Sequence, residues 1–288
     1  MPMPAGGTEP VKLSVVLSTH PAQFAAATFK GDFAANVAQI AALGYDGVEL
    51  AIRDPRLVHA DDLLRVLDAN RLAVPAIGTG QAWGEEGLSF TDPDPAVRAA
   101  AIGRLKSHVP LAARLSAVVI VGLLRGTVKP GVSQPQAMAW LVAALQECCA
   151  VASAAGVRVA LEPINRYETT LVNTIGQGLE LLAAVGAANL GLLADTFHMN
   201  IEEPSIAGSI QAAGGRISHF HVADSNRWHP GAGHLDFSAI LQALFATGYN
   251  GFVGGEFLPL PDAETAARRG IAHLRGLRSS WLAEEKEV

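Results

Sequence analysis

Residues 192–203 read LLADTFHMNIEE. A short apolar run ends in Asp195, and His198 follows on a segment too polar to be expected in the core. In chains that alternate strands and helices, acidic and imidazole groups at a strand end are where metal and proton-transfer sites are built. Outward from this stretch one pattern repeats: an apolar β-rich run, a polar or glycine-rich turn, then an Ala/Leu-rich helical stretch. Strands are expected over 12–18, 46–51, 72–78, 117–123, 157–162, 190–195, 217–222 and 251–256. Helices are expected over 32–43, 61–70, 95–114, 135–155, 176–187, 205–214, 236–248 and 262–284. The first of them starts at Asp32 and stops at Gly44, as helix end signals should.

Strands separated by helices imply parallel neighbours with right-handed crossovers, and near-continuous apolar strands imply a sheet buried on both faces. Eight such units in 288 residues point to an α/β protein with a single closed (β/α)8 TIM barrel. An open doubly wound sheet would place a glycine-rich phosphate loop after the first strand; this chain has Ser18-Thr19-His20-Pro21 there. No linker divides the chain. Residues 1–10, MPMPAGGTEP, read as a flexible N-terminal tail, and 11–288 as the barrel domain.

Half of the residues are hydrophobic and 17% are charged, which suits a large buried core. The net charge of −6 offers no footprint for nucleic acid. Cys148 and Cys149 are adjacent on one expected helix, where neighbouring side chains diverge, so no disulfide is expected between them. With no cysteine framework, no secretory signal and no apolar run approaching 18 residues, a cytoplasmic enzyme free of membrane is expected.

In a barrel of this kind the active site lies at the C-terminal ends of the strands. Strand 5 ends in Glu162, strand 6 in Asp195, strand 7 in His221 and strand 8 in Glu256. Any one of them alone reads more readily as a helix cap, an ion-pair partner or a packed core histidine. Four at four successive strand ends are harder to dismiss. Three carboxylates in one partly buried pocket need a cation to neutralise them. Oxygen and nitrogen donors without thiolate suit one divalent ion, Mn²⁺, Mg²⁺ or Co²⁺, ahead of Zn²⁺.

Three longer stretches carry a resemblance. They are residues 162–169 (EPINRYET), residues 195–203 (DTFHMNIEE), and 221–227 (HVADSNR) continuing through Pro230-Gly231, Gly233-His234 and Asp236. With Gly44-Tyr45-Asp46-Gly47-Val48-Glu49-Leu50, they resemble the D-tagatose 3-epimerase family of the xylose-isomerase-like barrel superfamily over nearly the whole chain. The resemblance implies that Glu162, Asp195, His221 and Glu256 hold the metal, with Mn²⁺ foremost. It implies that Glu162 and Glu256 double as an acid/base pair, and that Glu168, His198 and Arg227 contact the substrate. Family members are commonly dimers or tetramers, so a homodimer or homotetramer is expected.

The expected reaction inverts the carbon next to a ketose carbonyl: one carboxylate removes the C–H proton, and the other returns a proton from the opposite face. Arg125 after strand 4 and Arg53 after strand 2, with Arg227, point to a carboxylate or phosphate on the substrate, hence to the keto-sugar-acid branch; the plain alternative pairs Arg53 with Asp54 and Arg125 with a neighbouring acid. The run 78–83, containing Gln81 and Trp83, offers backbone amides and an indole to a sugar. For Arg166 an ion pair with a loop acid competes with substrate contact. Met199 reads as packing, and His229 and His234 as exposed loop histidines.

Three rival readings share parts of this pattern. An aldose–ketose isomerase of the hydroxypyruvate isomerase kind would use the same metal ligands. An endonuclease-IV-type DNA-repair nuclease would need extra histidines after strands 2 and 3, where this chain has Ala51-Ile52-Arg53 and Gly78-Thr79-Gly80. A non-catalytic scaffold would carry the carboxylate cluster at a cost in stability with nothing gained.

Overall fold

In the computed structural model, which describes residues 11–284, eight parallel strands close into a barrel in sequence order. They are β1 (Lys12–Ser18), β2 (Gly47–Ala51), β3 (Ala76–Gly78), β4 (Val118–Val121), β5 (Val159–Leu161), β6 (Leu190–Asp195), β7 (Ile217–Val222) and β8 (Phe252–Gly255), which pairs with β1. The chain is a single (β/α)8 TIM barrel, as expected. The expected tail at residues 1–10 lies outside the described residues.

Period-two alternation sorts the strand residues into two sets. Val15, Leu17, Val48, Leu50, Val119, Val121, Val159, Leu161, Leu192, Phe220 and Val253 belong to the large core against the helices. Ala76, Val118, Ile120, Ala160 and Leu193 form a separate apolar plug inside the barrel. Two residues above Ala160 and Leu193, on the same inward face, come Glu162 and Asp195. The inward set is therefore apolar low in the barrel and ionisable at its mouth.

The helices are α1 (Phe33–Ala42), α2 (Ala60–Asn70), α3 (Gln81–Glu86), α4 (Pro95–Leu115), α5 (Gln134–Ala154), α6 (Ile175–Val185), α7 (Thr196–Glu202), α8 (Ile206–Ala213), α9 (Phe237–Ala246) and α10 (Ala263–Glu284). Asp32 caps α1 through a 3.0 Å bond from the Ala35 N–H. Among the described helices only α5 is long and apolar enough to cross a bilayer. Here it lies against the barrel, burying Leu141, Leu145, Cys148 and Cys149.

Two features depart from expectation. Strand 72–78 shrinks to Ala76–Gly78, with an isolated bridge at Ala73, because Pro75 has no N–H to give to its neighbour. The two short helices α3 and α7 interrupt loops at the barrel mouth. Helix α7 makes the DTFHMNIEE segment part of the interior: His198 and Met199 are buried, not held in a polar loop.

Candidate active site

The ends of β5 to β8 bring Glu162, Asp195, His221 and Glu256 together, each with one ligand atom within 4.8 Å of the others. Backbone bonds fix two of these positions just past their strands: the Glu162 N–H donates to Val121 O at 3.1 Å, and the Glu256 N–H to Val222 O at 3.3 Å. Asp195 lies beside His221 in the β6–β7 register. Three atoms of this group, Glu162 Oε1, Asp195 Oδ2 and His221 Nδ1, are buried and have no hydrogen-bond partner. Buried polar atoms are nearly always partnered, so three orphans aimed at one point fit a bound cation. Oxygen and imidazole donors are the chemistry of a hard or borderline divalent ion.

The electrostatics agree. Burial, reinforced by Glu256 and Asp195, raises Glu162 well above the ordinary carboxylate range. Burial likewise pushes Glu256 up to about 7, against the pull of His221 and Arg227. Burial alone would lower His221, yet Glu49, Glu256 and Glu162 outweigh it and raise the ring to about 10. Without a cation the cluster holds protons in its place.

Below the cluster lies Glu49 on β2, whose Oε2 accepts from His219 Nε2 at 2.7 Å and His221 Nε2 at 2.8 Å. Above it opens a cleft of about 270 Å³ whose walls include Phe24, Gln81, Trp83, Glu168, His198 and Arg227.

The protonation of His198 follows from its neighbours. Asn165 Oδ1 accepts the Tyr167 N–H at 2.9 Å, so its amide nitrogen faces Glu168 Oε1 at 3.0 Å and His198 Nδ1 at 2.7 Å. An amide nitrogen only donates, so His198 Nδ1 accepts and Nε2 carries the proton. That Nε2–H lies 3.7 Å from Glu162 Oε1 and faces the cleft. Burial lowers His198 to about 4, which keeps it a neutral donor.

Arg227 is set by its loop. The Asp224 carboxylate gathers the N–H groups of Ser225, Gly231 and Leu235 at 2.8–3.1 Å, and Arg227 turns back in the left-handed region at φ 61°. Its guanidinium reaches Glu168 at 3.1 Å and Glu256 at 3.4 Å, and sits 4.9 Å from the Phe197 ring centroid.

The chain matches the xylose isomerase-like TIM barrel family over residues 37–277. It is 33% identical to an L-ribulose 3-epimerase of Mesorhizobium japonicum over 236 residues, 81% of this chain and 78% of that one. It is 32% identical to a D-psicose 3-epimerase of Ruminiclostridium cellulolyticum over 231 residues, 78% of each chain. The structure of an L-ribulose 3-epimerase superimposes with a TM-score of 0.80 at 27% identity, covering 96% of this chain and 97% of that one. The chain belongs to the xylose isomerase-like TIM barrel family. Those relatives are epimerases, which are isomerases, and the resemblance seen in the long motifs stands.

As a xylose isomerase-like barrel the chain keeps most of its expected site residues at the mouth. Glu168, His198, Arg227 and Gln81 all line the cleft. Arg125 does not. It is fully buried beside the barrel end, with its guanidinium on the carbonyls of Gly122, Leu171 and Val172 at 2.9–3.2 Å. Arg53 pairs with Glu85 and Glu86 at 2.8 and 3.4 Å, not with Asp54. Arg166 pairs with Glu202 at 2.7 Å. His234 is exposed, but His229 is buried, with Nδ1 3.0 Å from Pro230 O.

Glu49 is the site residue that sequence reading passed over. Its signal is visible afterwards: in GVELA the inward alternates are Gly47, Glu49 and Ala51, so an acid points into the barrel, where it meets His219 and His221.

Proposed function

We propose that this chain is a divalent-metal-dependent epimerase that inverts the carbon beside a ketose carbonyl, with Glu162 and Glu256 as the proton-transfer pair. The observation that carries the reading is the set of three orphaned ligand atoms, on Glu162, Asp195 and His221, at the floor of a cleft of sugar size. Glu162, Asp195, His221 and Glu256 would hold the ion, Mn²⁺ foremost. When bound, it would polarise the substrate carbonyl and make the neighbouring C–H acidic.

One glutamate takes that proton, the C–H electron pair becomes the double bond of a cis-enediolate, and the other glutamate delivers a proton to the opposite face. Glu256, raised to about 7, is poised for either role near neutral pH. The His198 Nε2–H and the Arg227 guanidinium, both on the cleft, would donate to substrate oxygens, and Glu168 would accept from a hydroxyl. Gln81 offers a further acceptor. Its Nε2 donates to Ser18 Oγ at 2.8 Å, and Ser18 donates its own proton to His20 O at 2.7 Å, so Gln81 Oε1 is left buried and unpartnered on the cleft wall.

Charge favours a neutral ketose over a keto-sugar acid. Arg53 and Arg125 are held by carboxylates and carbonyls, the charge of Arg227 is already balanced by Glu168 and Glu256, and Glu85 and Glu168 line the cleft. The test is a panel of neutral ketoses and keto-sugar acids assayed with Mn²⁺ and after chelation. Turnover of a neutral ketose should vanish on chelation and return with Mn²⁺; indifference to chelator sinks the reading. Glu162→Gln and Glu256→Gln should each lower kcat at least about a thousandfold with metal still bound. In D₂O the label should enter the epimerised carbon; label at the neighbouring carbon would mark an aldose–ketose isomerase instead.

A further inference from the structure

We infer that Glu49 is a positioning residue for the metal centre, fixing through its hydrogen bond which nitrogen of His221 faces the ion. The inference rests on the metal-site reading above and extends it to a residue outside the ligand set.

Glu49 is 2% exposed and reaches across the barrel from β2 to β7. Its single oxygen Oε2 meets two imidazole nitrogens, at 2.7 and 2.8 Å, with the two rings at 80° to one another. A carboxylate has only lone pairs to offer, so both imidazoles must present N–H at Nε2. For a neutral His221 this leaves the lone pair on Nδ1. That atom is the buried, partnerless one, 3.8 Å from Asp195 Oδ2 and 3.9 Å from Glu256 Oε1. The opposite tautomer would set a lone pair against Glu49 and an N–H where a cation should bind. Glu49 thus selects the ligating form of His221, and His219 steadies Glu49 by donating to the same oxygen.

The surroundings are shaped for this group. A buried carboxylate is costly without partners, and the two imidazole N–H groups are its partners here. Strand β8 yields room: a Cβ on Gly254 would lie 3.2–3.3 Å from Ser14 Oγ, His219 Nε2 and His221 Cδ2.

The experiment measures Mn²⁺ affinity from free-ion EPR for wild type, Glu49→Gln, Glu49→Asp and Asp195→Asn, with melting of each metal-free protein in parallel. Glu49→Gln nearly preserves shape and removes the charge; Glu49→Asp keeps the charge and withdraws the oxygen from both rings. Loss of a partner to a ligating histidine weakens metal binding by about 10–100-fold, and that is the change expected in both, with metal-free melting within a few degrees of wild type. Should one variant fail to fold, the other carries the test. Wild-type affinity in the folded variants overturns the inference, and so does loss of fold in both, which would assign Glu49 to structure alone. Failure of wild type to bind Mn²⁺ would instead strike the metal-site reading on which the inference rests.

Discussion

Each candidate ligand must give up its proton before it can hold a cation. In the metal-free protein His221 is raised to about 10 and Glu256 to about 7, and Glu162 is raised by burial as well. The metal-free state therefore binds more protons than the loaded state, so affinity must rise with pH. His221, protonated across the neutral range, gives up a proton at every pH, and Glu256 adds a second one as pH falls through about 7. Mn²⁺ affinity measured by calorimetry should increase at least tenfold from pH 6 to pH 8, with proton release seen as buffer-dependent heat. A flat profile would mean that the three groups do not bind the ion together.

At the scale of elements, the strand ends act as the frame and the residues between them set tolerances. Gly122, just after β4, shows how tight these are: a Cβ there would sit 2.9 Å from Glu162 Oε2. Gly122→Ala should push the Glu162 carboxylate aside and lower kcat by roughly 100-fold, the usual cost of displacing a catalytic group by about an ångström. Melting of the metal-free variant should stay within a few degrees of wild type; kinetics at saturating Mn²⁺ together with that melting curve test the point.

Much of this frame was legible in the sequence, because Glu162, Asp195, His221 and Glu256 each close an apolar run whose period places them inward. Helix α7 was not: Asp195 caps it, but seven residues are too short to show a helical period, and the burial of His198 and Met199 depends on the barrel mouth around them. Glu49 was missed for a related reason. Its meaning lies in two histidines 170 and 172 residues further along the chain. Arg125 read as a mouth residue because the strand end is there; the carbonyls of Leu171 and Val172 that claim it come from the next loop.

For the molecule as a whole, three acids (Glu162, Asp195 and Glu256) gathered in one barrel end oppose folding unless something offsets them. A ligand that binds only the folded state stabilises it by about 2.7 kcal/mol at one hundred times its dissociation constant. In a chain of 288 residues this amounts to a rise in Tm of roughly 5 °C or more. Calorimetric melting with saturating Mn²⁺ against chelator should show that rise in wild type and lose it in Asp195→Asn.

The two oxygens of Asp195 have separate duties. Oδ1 accepts the Phe197 N–H at 2.7 Å and starts α7, while Oδ2 is the buried orphan facing the cluster. His198 rides on the same helix, one turn from that cap. A shift of the carboxylate to suit an ion of different radius would therefore bear on the start of the helix that carries the His198 donor. On the proposed function, exchanging the ion would then tune recognition of the sugar as well as reactivity.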